Sequence, residues 1–230
     1  KILANALIQA DLDKVSQAVT AQCDAKDGLK DGVINAWESC NFKPDTLNLP
    51  KEKIAALKAV FDGAKTSKGE QIYSGWYYDT GVNQEDWRKW KLGSSQSGTP
   101  DARSATLGAG SLIWYFMTPS NPKFDWKAFD FDRDTPKTYQ TGAINDAIAT
   151  DLSSFAARGG KFIVLTGVSD PVFSAKDQVD WFKQMQQDTA KAADFSRMFM
   201  VPGMNHCGEG PALDNFDPLT AIQESGVRSQ

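Results

Sequence analysis

His206 is the only histidine in 230 residues, so any imidazole chemistry in this chain has to happen there. It stands in Pro202-Gly203-Met204-Asn205-His206-Cys207, and upstream of it Asp170 stands in Gly167-Val168-Ser169-Asp170-Pro171. An imidazole held in one tautomer by a carboxylate is a general base able to activate a hydroxyl nucleophile. The plainer alternative is that Asp170 caps a helix after Pro171 and His206 is a loop histidine with satisfied bonds. Spacing alone leaves both open.

Two strands and a helix must position this pair. Lys161-Phe162-Ile163-Val164-Leu165 is a short run of β-branched and aromatic residues bounded by Gly159-Gly160 and Gly167, which suits a buried strand. Met198-Phe199-Met200-Val201 is a second such run. Between them, Ser174 to Lys191 carries Val179, Trp181, Phe182 and Met185 at roughly helical spacing, so the unit reads β-α-β. In open parallel sheets chemistry gathers past the carboxyl ends of the strands, where Asp170 and His206 both leave. In α/β-hydrolases the order along the chain is nucleophile, acid, histidine, and the pair fits the last two terms. The first term is missing. No G-x-S-x-G occurs, and Gly108-Ala109-Gly110-Ser111-Leu112 lacks both the second glycine in register and a preceding strand.

Composition narrows the class. The net charge of −4 comes from interspersed acidic and basic residues, with no Lys/Arg stripe to suggest nucleic acid. No apolar run is long enough to span a membrane. Many of the seven Trp and thirteen Phe fall between residues 76 and 131, where a satellite core is the commoner reading and an aromatic pocket the other. Cys23 and Cys40 bracket an acidic loop and could form a local bridge, leaving Cys207 over. The start at Lys1 reads as a cleavage or fragment boundary.

The bracketed loop, Cys23-Asp24-Ala25-Lys26-Asp27-Gly28-Leu29-Lys30-Asp31-Gly32-Val33, is the second informative stretch. Its carboxylates and glycines could curl to point oxygens at a hard cation. Measured from Asp27, Asp31, Gly32 and Glu38 fall where an EF-hand has its fifth, sixth and twelfth positions, but Leu29 holds the third. A regular EF-hand is therefore excluded. An Asp-Gly surface turn is the competing reading.

Elsewhere, residues 1–22 have helical spacing, and Pro50 to Ala64 reads as a helix with Ile54, Leu57, Val60 and Phe61 in one stripe. Residues 66–99 read as long loops, Arg103 to Phe116 as a further helix, and Ala143 to Ala157 as helical. A composition shift near residue 141 separates a lid, residues 1–140, from a core segment, residues 141–230.

Ala156-Ala157-Arg158-Gly159-Gly160-Lys161-Phe162-Ile163, Gly167-Val168-Ser169-Asp170-Pro171-Val172-Phe173-Ser174 and Val201-Pro202-Gly203-Met204-Asn205-His206-Cys207 together resemble the tannase and feruloyl esterase family, nearest its terephthalate-ester branch. The resemblance runs from about Asp11 to Leu219. It implies the C-terminal part of an α/β-hydrolase fold with a large inserted lid, and a serine esterase of aromatic esters (hydroxycinnamoyl, galloyl or terephthaloyl). Asp170 would be the acid and His206 the base. The serine would lie in an N-terminal half carrying a Cys-Ser motif, whose cysteine pairs with Cys207. The resemblance also implies structural calcium in a disulfide-clipped loop, held by Asp24, Asp27 and Asp31 and the carbonyls of Leu29 and Val33. Where relatives carry further lid cysteines, this chain has Leu47-Asn48-Leu49.

An aromatic ester needs an apolar slot with a few placed polar groups, and the likeness adds one contact to what that chemistry suggests. Phe173 matches a substrate-facing residue, and Arg103, near Trp87, Trp90 and Ser111, could fork onto a substrate carboxylate, against the commoner reading of a surface ion pair. Secretion or a periplasmic location goes with the family, and without its nucleophile this chain alone would not turn over. The rival from another class is a catalytically silent module binding phenolic or glycan ligands. A native two-chain enzyme is a third possibility.

Overall fold

A computed structural model describes residues 2–227. Its helices are α1 (Gln9–Cys23), α2 (Lys51–Phe61), α3 (Glu85–Lys91), α4 (Arg103–Ser111), α5 (Phe131–Asp134), α6 (Tyr139–Asn145), α7 (Ser153–Ala157), α8 (Ala175–Asp188), α9 (Ala192–Phe195) and α10 (Pro218–Val227). Its strands are β1 (Phe162–Gly167) and β2 (Ser196–Val201).

The strands pair in parallel, from Phe162 opposite Ser196 to Gly167 opposite Val201. The β-α-β unit is thus present, with each strand one or two residues longer than its apolar run. One face of the pair, with Phe162, Val164 and Met198, packs on Phe182 and Met185 of α8. The opposite face, with Ile163, Leu165 and Phe199, fronts a cavity lined also by Leu213, Phe216 and Ala221. Among the described residues this sheet has two strands and two unpaired outer edges.

A second core is helical. Leu12, Val15 and Val19 recur on one side of α1 and meet Leu57 and Phe61 of α2 and Trp87 of α3, all at most 2% exposed. Each such side chain contributes about 1.5–3 kcal/mol when withdrawn from water. Phe61 stacks on Tyr78 at 4.0 Å and on Trp87 at 5.7 Å. The aromatics at 76–87 are therefore largely satellite core. Cys23 and Cys40 are bonded to each other, tying the end of α1 to the far side of the acidic loop.

Two expectations need correction. Residues 66–99 are not loops throughout, because α3 forms there with Glu85 and Asp86 in its first turn and basic residues in its last, favourable to the helix dipole. Ala143 to Ala157 is not one helix. It breaks after Asn145, where Asp146 turns extended. Side chains then compete for the backbone: the Thr189 hydroxyl donates to the Thr150 carbonyl at 2.9 Å and accepts the Leu152 N–H at 2.9 Å, and Asp151 accepts the Ser153 N–H at 2.9 Å.

Candidate active site

The parallel register brings the carboxyl ends of β1 and β2 side by side, so the loops that follow leave together. They are bonded at once: Val168 N–H donates to the Val201 carbonyl at 3.0 Å, and Ser169 N–H to the Met204 carbonyl at 3.1 Å. Gly167 permits this. A Cβ there would stand 2.2 Å from the Met204 carbonyl oxygen.

From these loops Asp170 and His206 meet. His206 Nδ1 lies 3.0 Å from Asp170 Oδ2. Asp170's other oxygen accepts the N–H groups of Val172 at 2.7 Å and Phe173 at 3.1 Å. With Asp170 ionised the carboxylate can only accept, a pairing that puts the shared proton on Nδ1 and leaves the ring lone pair on Nε2. The Asp170 side chain is 8% exposed and the His206 side chain 28%, a buried carboxylate behind an accessible imidazole. Asp170 does not cap α8. Ser174 does, its hydroxyl accepting the Asp177 N–H at 3.2 Å.

Aromatic rings frame the imidazole. Phe173 meets it edge-on at 5.5 Å between centroids and Trp90 at 5.9 Å. Phe173 is itself 55% exposed, available to a ligand. Arg103 lies 5.5 Å from the Trp90 ring, but its Nη1 pairs with Asp86 at 2.8 Å and the side chain is 45% exposed. The structure therefore gives Arg103 a surface ion pair beside the aromatic wall. The Ser111 hydroxyl donates back to the Leu107 carbonyl of its own helix at 3.1 Å, and no hydrogen bond joins it to His206.

Several groups here carried no sequence signal. Lys91, next to Trp90, holds its Nζ 3.4 Å from the centre of the Trp76 ring. Burial lowers its pKa to about 8, opposed by the nearby Asp170 charge. Tyr73 accepts the Ser174 N–H at 2.9 Å, and burial raises its phenol. Asp79 and Asn205 are fully buried. Lys91, Tyr73 and Asp79 stand in no recognisable motif, while Asn205 lies in the stretch that carries His206 without having been singled out. The placement of Lys91, Tyr73 and Asp79 follows from long-range packing of residues 73–91 on the two strand loops.

The acidic loop between the bonded cysteines curls on itself. Gly28 and Gly32 adopt left-handed backbone at φ +98 and +83. Asp27 accepts the N–H groups of Leu29 and Asn35, Asp24 that of Gly32 and Asp31 that of Val33, each at 3.0 Å. The all-oxygen donor set suits a hard cation. In this arrangement, however, each carboxylate is turned onto a loop amide, and among the described residues no three acidic, His or Cys side chains converge as a metal site. Cys207, beside the base, is a free and exposed thiol.

Comparison with known proteins bears on the whole chain. A family model described as tannase and feruloyl esterase matches residues 2–228. Mono(2-hydroxyethyl) terephthalate hydrolase of Piscinibacter sakaiensis is 34% identical over 255 aligned positions, covering 93% of this chain and 42% of that protein. Probable feruloyl esterase B-2 of Aspergillus flavus is 25% identical over 214 positions, covering 89% and 39%. The structure of feruloyl esterase B from Aspergillus oryzae superposes with a TM-score of 0.77 at 18% identity, over 97% of this chain and 48% of that one. The fold is accordingly a part of an α/β-hydrolase fold, and the chain spans less than half the length of these relatives.

Proposed function

Because the chain belongs to the tannase and feruloyl esterase family, we propose that it supplies the acid and the base of a Ser-His-Asp carboxylic ester hydrolase acting on aromatic esters. The observation that carries this reading is the 3.0 Å contact between His206 Nδ1 and Asp170 Oδ2. A serine from the remainder of the protein attacks the ester carbonyl. His206 Nε2 takes the serine proton and returns it to the departing alcohol, while Asp170 holds the ring and stabilises the imidazolium. Phe173 and Trp90 offer apolar walls against which an aromatic acyl group would lie.

Three parts of the proposal concern the surroundings. The N-terminal part of the same protein, carrying a Cys-Ser motif, is the proposed partner, its cysteine bonding Cys207. Calcium is proposed as a structural ion in the Asp24–Val33 loop, with no part in the reaction. It would require the Asp24, Asp27 and Asp31 carboxylates to turn from the loop amides toward the ion, joined by the Leu29 and Val33 carbonyls. A secreted or periplasmic location accords with the Cys23–Cys40 bond, since disulfides persist in oxidising compartments.

The test is His206→Ala in the complete protein, assayed on an activated aryl ester. Turnover should fall by about 10⁴-fold to 10⁶-fold with the fold retained. Near-normal turnover would remove His206 from the mechanism.

A further inference from the structure

Asp79 belongs to neither strand loop, yet its carboxylate touches both. Its Oδ2 accepts the Ser169 hydroxyl at 2.8 Å and the Gly203 N–H at 2.6 Å. Ser169 immediately precedes Asp170, and Gly203 opens the turn that leads to His206. The Ser169 hydroxyl in turn accepts the Gly81 N–H at 3.0 Å, so the segment carrying Asp79 is stitched to the acid loop twice. Gly81 also sits against the base loop, where a Cβ would lie 2.4 Å from the Gly203 carbonyl oxygen.

We propose that Asp79 is a positioning residue for the esterase reaction, one buried oxygen fixing the acid-bearing and base-bearing loops at the separation at which Asp170 and His206 bond. The proposal rests on the reading of that pair as two members of the triad. A carboxylate withdrawn wholly from water is costly unless donors meet it, and the two donors that meet its Oδ2 lie one on each of the loops bearing Asp170 and His206. Its other oxygen has no hydrogen-bond partner among the described residues. Desolvation raises the carboxyl pKa of Asp79, with the Gly203 amide, the Ser169 hydroxyl and the Thr80 amide opposing it. What the loops need from Asp79 is an acceptor at one point in space. An asparagine, whose carbonyl oxygen accepts two hydrogen bonds, can supply that acceptor without a charge.

The experiment reads the contact itself, independently of turnover. In the protein as it naturally occurs, the proton shared by His206 Nδ1 and Asp170 gives a downfield NMR signal, identified by its loss in His206→Ala. Asp79→Ala should abolish that signal while near-ultraviolet circular dichroism stays native, and Asp79→Asn should keep it. Persistence of the signal in folded Asp79→Ala, or its loss in Asp79→Asn, would overturn the proposal. If Asp79→Ala does not fold, Ser169→Ala decides the matter. It removes one leg of the clamp and should speed exchange of the signal with water about tenfold, the cost of one charge-assisted hydrogen bond; unchanged exchange sinks the idea. An inactive protein with an intact signal would count against the esterase reading alone.

Discussion

At the scale of single residues, the site places the buried Asp170 carboxylate and the half-buried Lys91 ammonium near the His206 imidazole. Lys91 has its pKa lowered from an ordinary 10.5 to about 8, chiefly by burial. A lysine with a depressed folded value gives up its proton more readily folded than unfolded, so stability rises as pH climbs from about 8 toward 10.5. Lys91→Met should therefore be at least as stable as the parent at pH 7 and should lose that rise. Urea unfolding at pH 7 and pH 9.5 measures both, and an equally steep rise in the variant would show that Lys91 is not its source. Sequence could single out His206 by its uniqueness and Asp170 by its place after a strand. It could not find Lys91, Tyr73 or Asp79. Nothing local distinguishes a lysine that lies on Trp76 from one in water.

Among the elements, the strands and α8 were legible because their apolar residues repeat at the period of the structure they form. What failed did so for a shared reason. Residues 143–157 carry enough helix formers to suggest one helix, but the Asp151 carboxylate and the Thr189 hydroxyl capture the backbone at 150–153 first. In α3 only seven residues are helical, too few for a period to stand out, and Trp87 is held by packing on Phe61. The Asp24–Val33 loop lies between these cases. Its glycines and acids could be counted from sequence, but whether its oxygens face inward depends on an ion. If calcium binds there, the thermal midpoint of the protein should fall in EDTA and recover with added calcium, because an ion bound only by the folded form stabilises it. A midpoint indifferent to both would leave the loop as a turn closed by its own amides.

For the whole molecule, the governing fact is a parallel sheet of two strands within a chain matching about 42% of its terephthalate-hydrolase relative. Two strands do not make an independently stable sheet. Phe199, on the face away from α8, is 51% exposed, and Leu213 beside it 80%. Produced alone, the 230-residue chain should bind a hydrophobic dye, sediment as more than one species, and hydrolyse no aryl ester. The complete protein should do none of the first two. Ester hydrolysis by the isolated chain that vanishes with His206→Ala would instead mean the nucleophile is already present in it.

The hydrogen bond from the Ser169 amide to the Met204 carbonyl carries a lesson for anyone reshaping this protein. Insertions or deletions between Gly167 and Asp170 cannot be absorbed locally, because the neighbouring turn is hooked to the same backbone and would be dragged along. Changes at Phe173 and Trp90 are far easier to absorb, since their rings border the imidazole without bearing on how the two turns are joined.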